Sequence, residues 1–425
     1  MNNFNIHKKM FLIPLTLFSY LFATSLIFAK EKSVFILLEN NVYNQLNENT
    51  EAKDFLRGLK NIRNSFTKGF TNSKEKWHAF RLLENQIPTL SQLTHETLER
   101  CGGFHTFYQE KEMQTFLLKE ISTKRSVKKS LKLPSLISSS EFKKSEEIQT
   151  WFSHLQRTRM NNFIEKFSSY PTRYYTSPSG IEAMNWLFEK WKKMGQGRND
   201  IVVEKFVHKN FKQPSIILTI KGSLDNGESL VFGGHGDSIN TDDGPQGHAP
   251  GADDNAAGIA LLTELIQLII EHNYKPRHDL TFMAYAAEEV GILGSYEITR
   301  NYRQNNKAIA GVLQFDGINY QGETFEMALI EDLTNREQNL FLAKLIDEYI
   351  KVPWTYQRCG YACSDHAAWN YEGYPVSYPV ETIATEQNPH FHTARDTFDK
   401  SQYDTLHAEK FLKLAIAFLL ERDQI

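Results

Sequence analysis

The chain has 425 residues, of which 41% are hydrophobic, 23% charged and 12% aromatic, and its formal net charge is −3. This composition is typical of a globular protein and excludes a wholly disordered chain, a fibrous repeat and a polytopic membrane protein. The near-neutral charge gives no reason to expect nucleic acid as a partner. The cysteines, Cys101, Cys359 and Cys363, are too few for a disulfide scaffold.

The N-terminus, residues 1–29, has the pattern of a secretory signal peptide. Two lysines precede an uncharged run, residues 10–29, which ends in a small residue, Ala29. An uncleaved membrane anchor is the alternative, because about 20 apolar residues can span a bilayer, but Pro14 within the run favours cleavage. We predict a secreted protein with no stable membrane association after cleavage. A Gram-negative source would export it through the periplasm.

Residues 30–123 are predicted to form a small, mainly helical pro-region. Apolar residues recur at helical spacing, as in the series Phe55, Leu59, Ile62 and Phe66. We interpret Cys101 as a core cysteine and His105 as a surface histidine.

Residues 124–147 are rich in Ser and Lys and show little periodicity. They are predicted to be a linker in which processing removes the pro-region. The alternative is a solvated surface loop that is never cut.

Residues 148–425 alternate apolar strands with amphipathic helices. One helix face contains Ile181 and Met194, with Pro178 at its start and Gly195 after its end. The other predicted elements are strands at 215–220, 230–232, 280–286 and 311–315, and helices at 257–271 and 410–420. This order predicts an α/β fold with a mostly parallel central sheet flanked by helices on both faces. Ligands of such sheets gather at the carboxyl ends of the strands.

Polar residues stand after the predicted strands and in two further loops. They occur in Gly233–Ser238 (GGHGDS), 250–258 (PGADDNAAG), 287–291 (AEEVG), at Asp316 and in 388–393 (NPHFHT). A lone histidine there is more often structural, but together the segments supply two histidines and several carboxylates. These are suitable ligands for two zinc ions that share one carboxylate. Burying so many carboxylates without cations would be very costly.

These segments resemble motifs of the secreted bacterial leucyl aminopeptidases, a family of two-zinc exopeptidases. The resemblance also includes FMAYAAEEVGILGS, LQFDG, CGYACSDHAAW and FHTARDT. The resemblance extends from about Trp151 to Phe418, with the motifs in the family's order. It implies peptides with a free N-terminus as substrates, and we expect a monomer. The N-terminal segment is not covered, beyond the general point that such enzymes carry pro-regions.

The resemblance also implies a role for each site residue. One zinc would be held by Asp254, Glu289 and His392, and the other by Asp254, His235 and Asp316. Glu288 would be the general base that takes a proton from a metal-activated water. Asp237 would orient the His235 imidazole, and Tyr361 would support the scissile carbonyl or the oxyanion. A cis peptide bond after Asp254 is also implied.

The Cys359/Cys363 pair could form a metal or redox site, but the resemblance implies a structural disulfide. The substrate pocket is expected to contain Ile330, Cys359, Tyr361, Cys363, Tyr378, Val380 and Phe391. The best-known family pattern has bulky apolar residues where this chain has Gly317, Val380, Ala384 and Gln387. A pocket for Leu or aromatic residues is the first expectation. A more open pocket, with Glu331 as an added acid, would accept Lys or Arg.

Two other classes of function remain open at this point. A glutaminyl-cyclase-like enzyme shares the architecture but uses a single zinc, and the five-ligand set argues against it. A non-catalytic binding protein would be expected to lack Glu288 or a metal ligand, and none is missing.

Overall fold

The computed structural model describes residues 32–62, 77–98, 102–125, 142–224 and 227–424. The predicted signal peptide, Cys101 and most of the predicted linker lie outside these residues. We call residues 32–125 the N-terminal unit and residues 142–424 the C-terminal unit. Within the described residues, none of the helices has the length and apolar character needed to cross a membrane.

The described residues of the N-terminal unit form four strands and four α-helices. Its strands are β1 Ser33–Glu39, β2 Lys60–Asn61, β3 Trp77–Leu83 and β4 Phe104–Phe107. Its helices are α1 Asn40–Glu48, α2 Thr50–Gly58, α3 Ile87–Leu98 and α4 Glu110–Arg125.

The C-terminal unit alternates strands and helices as predicted. Its strands are β5 Ile201–Phe206, β6 Ser215–Ile220, β7 Ser229–His235, β8 Asp279–Tyr285, β9 Ile309–Gln314, β10 Met327–Ile330, β11 Trp354–Gln357, β12 Val376–Ser377 and β13 Pro379–Val380. Its helices are α5 Ser145–Phe152, α6 Arg157–Ser168, α7 Pro178–Met194, α8 Gly258–Glu271, α9 Leu293–Gln304, α10 Arg336–Leu345, α11 His366–Tyr371 and α12 Leu406–Arg422. Helix α5 begins within the stretch predicted as linker.

Helices hold most of the described residues of the N-terminal unit, as predicted, but the prediction missed its strands, which form one antiparallel sheet in the order β2-β3-β1-β4. The apolar residues of β1 pair with β3 and β4. The predicted helical series ends early, since α2 stops at Gly58 and β2 follows. His105 was expected at the surface, but it is buried, and its Nδ1 lies 2.7 Å from the Tyr296 hydroxyl.

The central sheet of the C-terminal unit has the order β12-β9-β7-β8-β6-β5. The first four strands are parallel, and β6 and β5 are antiparallel to their neighbours. Side chains of a strand alternate between the two faces. Phe232 accordingly packs with the helices of the larger core, whereas Val231 packs with Trp369 on the opposite face. Both faces are therefore covered by helices, as predicted.

The N-terminal unit packs over the edge of the sheet where β9, β7 and β8 end. Two apolar clusters contain side chains from both units: Leu90 and Phe104 pack with Val290 and Tyr378 in one of them. His105 lies among aromatic rings of both units, including Trp77 and Tyr371 in the other cluster. The fold thus places a second unit against the carboxyl ends of the parallel strands.

Candidate metal centre

Three neighbouring strands deliver most of the predicted ligands. His235 is the last residue of β7, Asp316 follows β9 by two residues, and Glu288 and Glu289 follow β8. Because these strands are parallel and adjacent, their carboxyl ends meet at one edge. Each of these side chains is at least 95% buried. The remaining two predicted ligands come from loops, Asp254 before α8 and His392 after β13.

The five predicted ligands lie together in two groups that share Asp254. His235 Nε2 lies 2.9 Å from Asp254 Oδ1 and 3.2 Å from Asp316 Oδ1. His392 Nε2 lies 3.1 Å from Asp254 Oδ2 and 2.9 Å from Glu289 Oε2. The two oxygens of Asp254 therefore face different histidines. His390, the nearby alternative, belongs to neither group.

The donor set fits zinc. Ligands at about 2.0–2.1 Å from a tetrahedral ion lie roughly 3.3 Å apart, close to the spacings within each group. Among the described residues, Glu288 Oε1 and Glu289 Oε1 are buried with no hydrogen-bond partner. Buried carboxylate oxygens are costly unless they are paired or coordinate a metal. Cations at the two groups would satisfy this requirement.

Burial and charge determine the ionisation of the centre. Burial raises the pKa of the Glu288 carboxyl well above its usual range and that of Glu289 to about 7. Burial also raises the pKa of Asp254, but hydrogen bonds with His235 and His392 outweigh it and hold this pKa well below its usual range. A bound divalent cation would favour the ionised form of all these carboxyls.

Second-layer hydrogen bonds fix the ligand loops. Asp237 was expected to orient His235, and its Oδ1 lies 3.5 Å from His235 Nδ1. Its oxygens also accept hydrogen bonds from the backbone N–H groups of Glu288 and Glu289, at 3.0 and 3.2 Å. Sequence reasoning missed Ser364, whose hydroxyl donates to Asp316 Oδ2 at 2.6 Å. Its position in the CGYACSDHAAW motif was the available signal.

The segment that carries Asp254 is held from two sides. Asp396 accepts hydrogen bonds from the N–H groups of Asp253 and Asp254, at 3.3 and 3.0 Å. The Asn255 side chain donates to the Phe315 carbonyl at 2.8 Å. The Asp254–Asn255 peptide bond is cis, as the resemblance implied.

The predicted pocket residues lie mostly in one buried cluster beside this centre. The cluster contains Ile330, Tyr361, Cys363, Tyr378 and Val380. The Tyr378 hydroxyl donates to the Asp316 carbonyl at 3.2 Å, which connects the pocket to a predicted ligand. Cys359 and Cys363 form a disulfide, as expected. Phe391 is outside the cluster and lies against Gly317.

The N-terminal unit contacts the loops around the centre. Ser91 donates to the Glu289 carbonyl at 3.0 Å, and Asn41 donates to the Gly360 carbonyl at 2.6 Å. A methyl group on Gly102 would lie 2.9 Å from the Ala362 carbonyl oxygen. His95 Nδ1 lies 2.9 Å from His392 Nδ1. Sequence reasoning missed His95, for which no local motif provided a signal.

Comparison with known proteins identifies the family. A model described as peptidase family M28 matches residues 215–417, a range that contains all five predicted ligands. A probable leucine aminopeptidase of Trichophyton verrucosum is 34% identical over 284 residues, which are 65% of this chain and 76% of that protein.

Solved structures extend the likeness to the N-terminal unit. The LapA aminopeptidase of Legionella pneumophila matches with a TM-score of 0.75 and 27% identity, covering 93% of this chain and 99% of that one. A glutaminyl cyclase of an Acidobacteriales bacterium matches at 14% identity with a TM-score of 0.51, covering 63% of this chain and 94% of that one, and shows the shared fold alone. The chain belongs to peptidase family M28 and is a metallo-aminopeptidase.

Proposed function

We propose that this protein is a secreted two-zinc aminopeptidase that removes an N-terminal Leu or other large apolar residue from peptides. The observation that carries the proposal is the position of Asp254 between two histidine–carboxylate pairs. One oxygen lies 2.9 Å from His235 and the other 3.1 Å from His392. A carboxylate held in this way can bridge two cations.

The reaction follows from the residues around this bridge. Bound zinc would polarise the scissile carbonyl and activate a water molecule. Glu288 accepts a proton from the attacking water and returns it to the leaving amine. Its buried Oε1, which has no hydrogen-bond partner among the described residues, is available for this transfer. Asp237 holds the backbone of Glu288 and so positions this base.

The surroundings of the pocket favour an apolar side chain. Ile330 and Val380 are buried on neighbouring strands beside Tyr378. A pocket for Lys or Arg would depend on the acid Glu331. Glu331 accepts a hydrogen bond from Arg358 Nε at 3.0 Å. Arg358 partly neutralises Glu331, and both side chains are exposed to solvent, which screens the charge of Glu331 further. A basic substrate would therefore gain little from it.

The N-terminal unit is proposed to keep the enzyme inactive until it is processed in the segment 124–147. Support comes from its contacts with the Glu289 and Gly360 carbonyls and from its packing against Tyr378. Each of these contacts lies at a predicted metal ligand, at the loop of the predicted disulfide or at the predicted pocket. Secretion rests on the signal-like residues 1–29.

Initial rates on Leu, Lys and N-acetyl-Leu arylamides test this function, measured on processed protein at saturating zinc with its zinc content determined. We expect two zinc ions per chain, a Leu rate at least about tenfold above the Lys rate, and no turnover of the acetylated substrate, which lacks the free amine. A Lys rate above the Leu rate would contradict the apolar pocket. One zinc per chain with cyclisation of N-terminal Gln would favour a glutaminyl cyclase instead.

A further inference from the structure

Helix α3 of the N-terminal unit lies against one of the two metal-ligand groups. Ser91 and His95 are four residues apart and so project from the same face of this helix. Ser91 donates to the backbone carbonyl of Glu289, and His95 meets the ring of His392. Glu289 and His392 both belong to the group that excludes His235 and Asp316.

The geometry of His392 assigns the direction of its hydrogen bond to His95. His392 Nε2 faces Glu289 and Asp254, at 2.9 and 3.1 Å, and a nitrogen that binds a metal carries no proton. The neutral ring then carries its proton on Nδ1. His392 Nδ1 therefore donates to His95 Nδ1 over 2.9 Å. Such outer hydrogen bonds fix the tautomer and the orientation of a metal-binding imidazole.

Apolar packing fixes the helix that carries His95. Leu90 and Leu93, on the same helix, are buried in the cluster that includes Val290 and Ala287 of the C-terminal unit. Thr106 of the N-terminal unit donates to the Val290 carbonyl at 2.9 Å, beside the Glu288–Glu289 loop. These contacts hold the N-terminal unit, and with it the helix that carries His95, against the C-terminal unit.

We propose that His95 is a positioning residue for His392, so that the N-terminal unit completes one of the two metal sites while it covers the centre. This inference rests on the metal centre of the proposed function. Coupling between two binding events is reciprocal. Zinc at the Asp254–Glu289–His392 group therefore strengthens the docking of the N-terminal unit, and loss of that unit weakens this zinc selectively.

Zinc affinity of the full chain, measured by competition with a chromogenic chelator, tests the inference without any substrate. His95→Phe keeps a ring but removes the acceptor, and we expect one of the two zinc ions to bind about 10- to 100-fold more weakly while the other is unchanged. His95→Asn retains an acceptor near the Nδ1 position and should restore much of the affinity. Gln92→Ala, which removes an exposed bond to Glu96 on the same helix, is the matched control.

Two results would overturn the inference: affinities in His95→Phe that match the Gln92→Ala control, or equal weakening of both ions. If the Phe variant does not fold, the wild-type chain with a specific protease site placed within 126–141 provides a second measurement. After cutting, chelation of zinc should speed release of the N-terminal unit, and an unchanged release rate contradicts the coupling. Selective weakening of one zinc ion in the full chain, together with no arylamide hydrolysis by the processed wild-type protein, would refute the proposed peptidase activity alone.

Discussion

The two units of this protein obtain their stability in different ways. The largest apolar cluster consists entirely of residues between 148 and 420 and surrounds the central sheet. The two clusters that contain the N-terminal strands β1, β3 and β4 also contain residues of the C-terminal unit, such as Val290 and Tyr296. The C-terminal unit therefore has its own core, whereas the N-terminal unit depends on docking. The core around the central sheet therefore does not depend on the N-terminal unit.

The largest expected effect is the loss of peptide-bond hydrolysis when the proposed general base of the C-terminal unit is replaced. Glu288→Gln should lower the processed enzyme's rate on Leu arylamide by about 10²–10⁴-fold, because the variant cannot accept the proton of the attacking water. Both zinc ions should remain, since Glu288 belongs to neither ligand group. Arylamide rates and metal analysis of the same preparation measure the two quantities.

Glu165→Gln, an exposed change on α6, is the matched control and should leave the rate unchanged. A Glu288→Gln enzyme that keeps its rate would refute the assigned base. Loss of zinc together with activity would make Glu288 part of the metal site instead.

The next effect concerns the docking of the N-terminal unit over the metal centre. Gly102 has a φ of 76°, and a methyl group there would meet the Ala362 carbonyl oxygen at 2.9 Å. Gly102→Ala should therefore weaken docking by about 1–3 kcal/mol and raise the activity of uncut protein, assayed at saturating zinc. A shift of 1 kcal/mol corresponds to a factor of about five in the uncovered fraction.

Gly58→Ala is the control, because no atom lies within 4 Å of the added methyl group. Activity of uncut wild type equal to that of the processed enzyme would contradict the covering role. Equal activities of Gly102→Ala and Gly58→Ala would instead place Gly102 outside the docking contact.

The same contrast explains what could be predicted from the sequence. That the predicted ligands lie together was predictable because polar side chains such as His235 and Asp316 stand at or just after the ends of neighbouring parallel strands. The N-terminal sheet was not predicted, because spacing through Ile62 resembled a helix. The apolar run Val34–Leu38 was the missed strand signal. The role of His95 depends on a contact between residues 297 positions apart, which no local pattern encodes.

The smallest effect concerns the stability of the metal-free protein, which the buried acids of the C-terminal unit control. Burial raises the pKa of Glu289 and Asp365 to about 7 and that of Asp396 to about 8. The folded protein then holds protons that the unfolded chain releases between about pH 4 and pH 8. The stability contributed by these protons is present at the lower pH and is lost as the pH rises through this window. The lowered pKa of Asp254 acts below the window.

Melting temperatures at pH 5.5 and 7.5 measure this dependence. Metal-free protein should melt lower at pH 7.5, since each proton that the folded protein retains and the unfolded chain releases costs about 1.4 kcal/mol of stability per pH unit. Zinc should reduce the difference by favouring the ionised carboxyls of the centre. Asp365→Asn should also reduce it, whereas the exposed Asp242→Asn should not. A metal-free protein that melts higher at pH 7.5 would show that these acids are ionised without a cation, and the electrostatic argument for the metal centre would then be wrong.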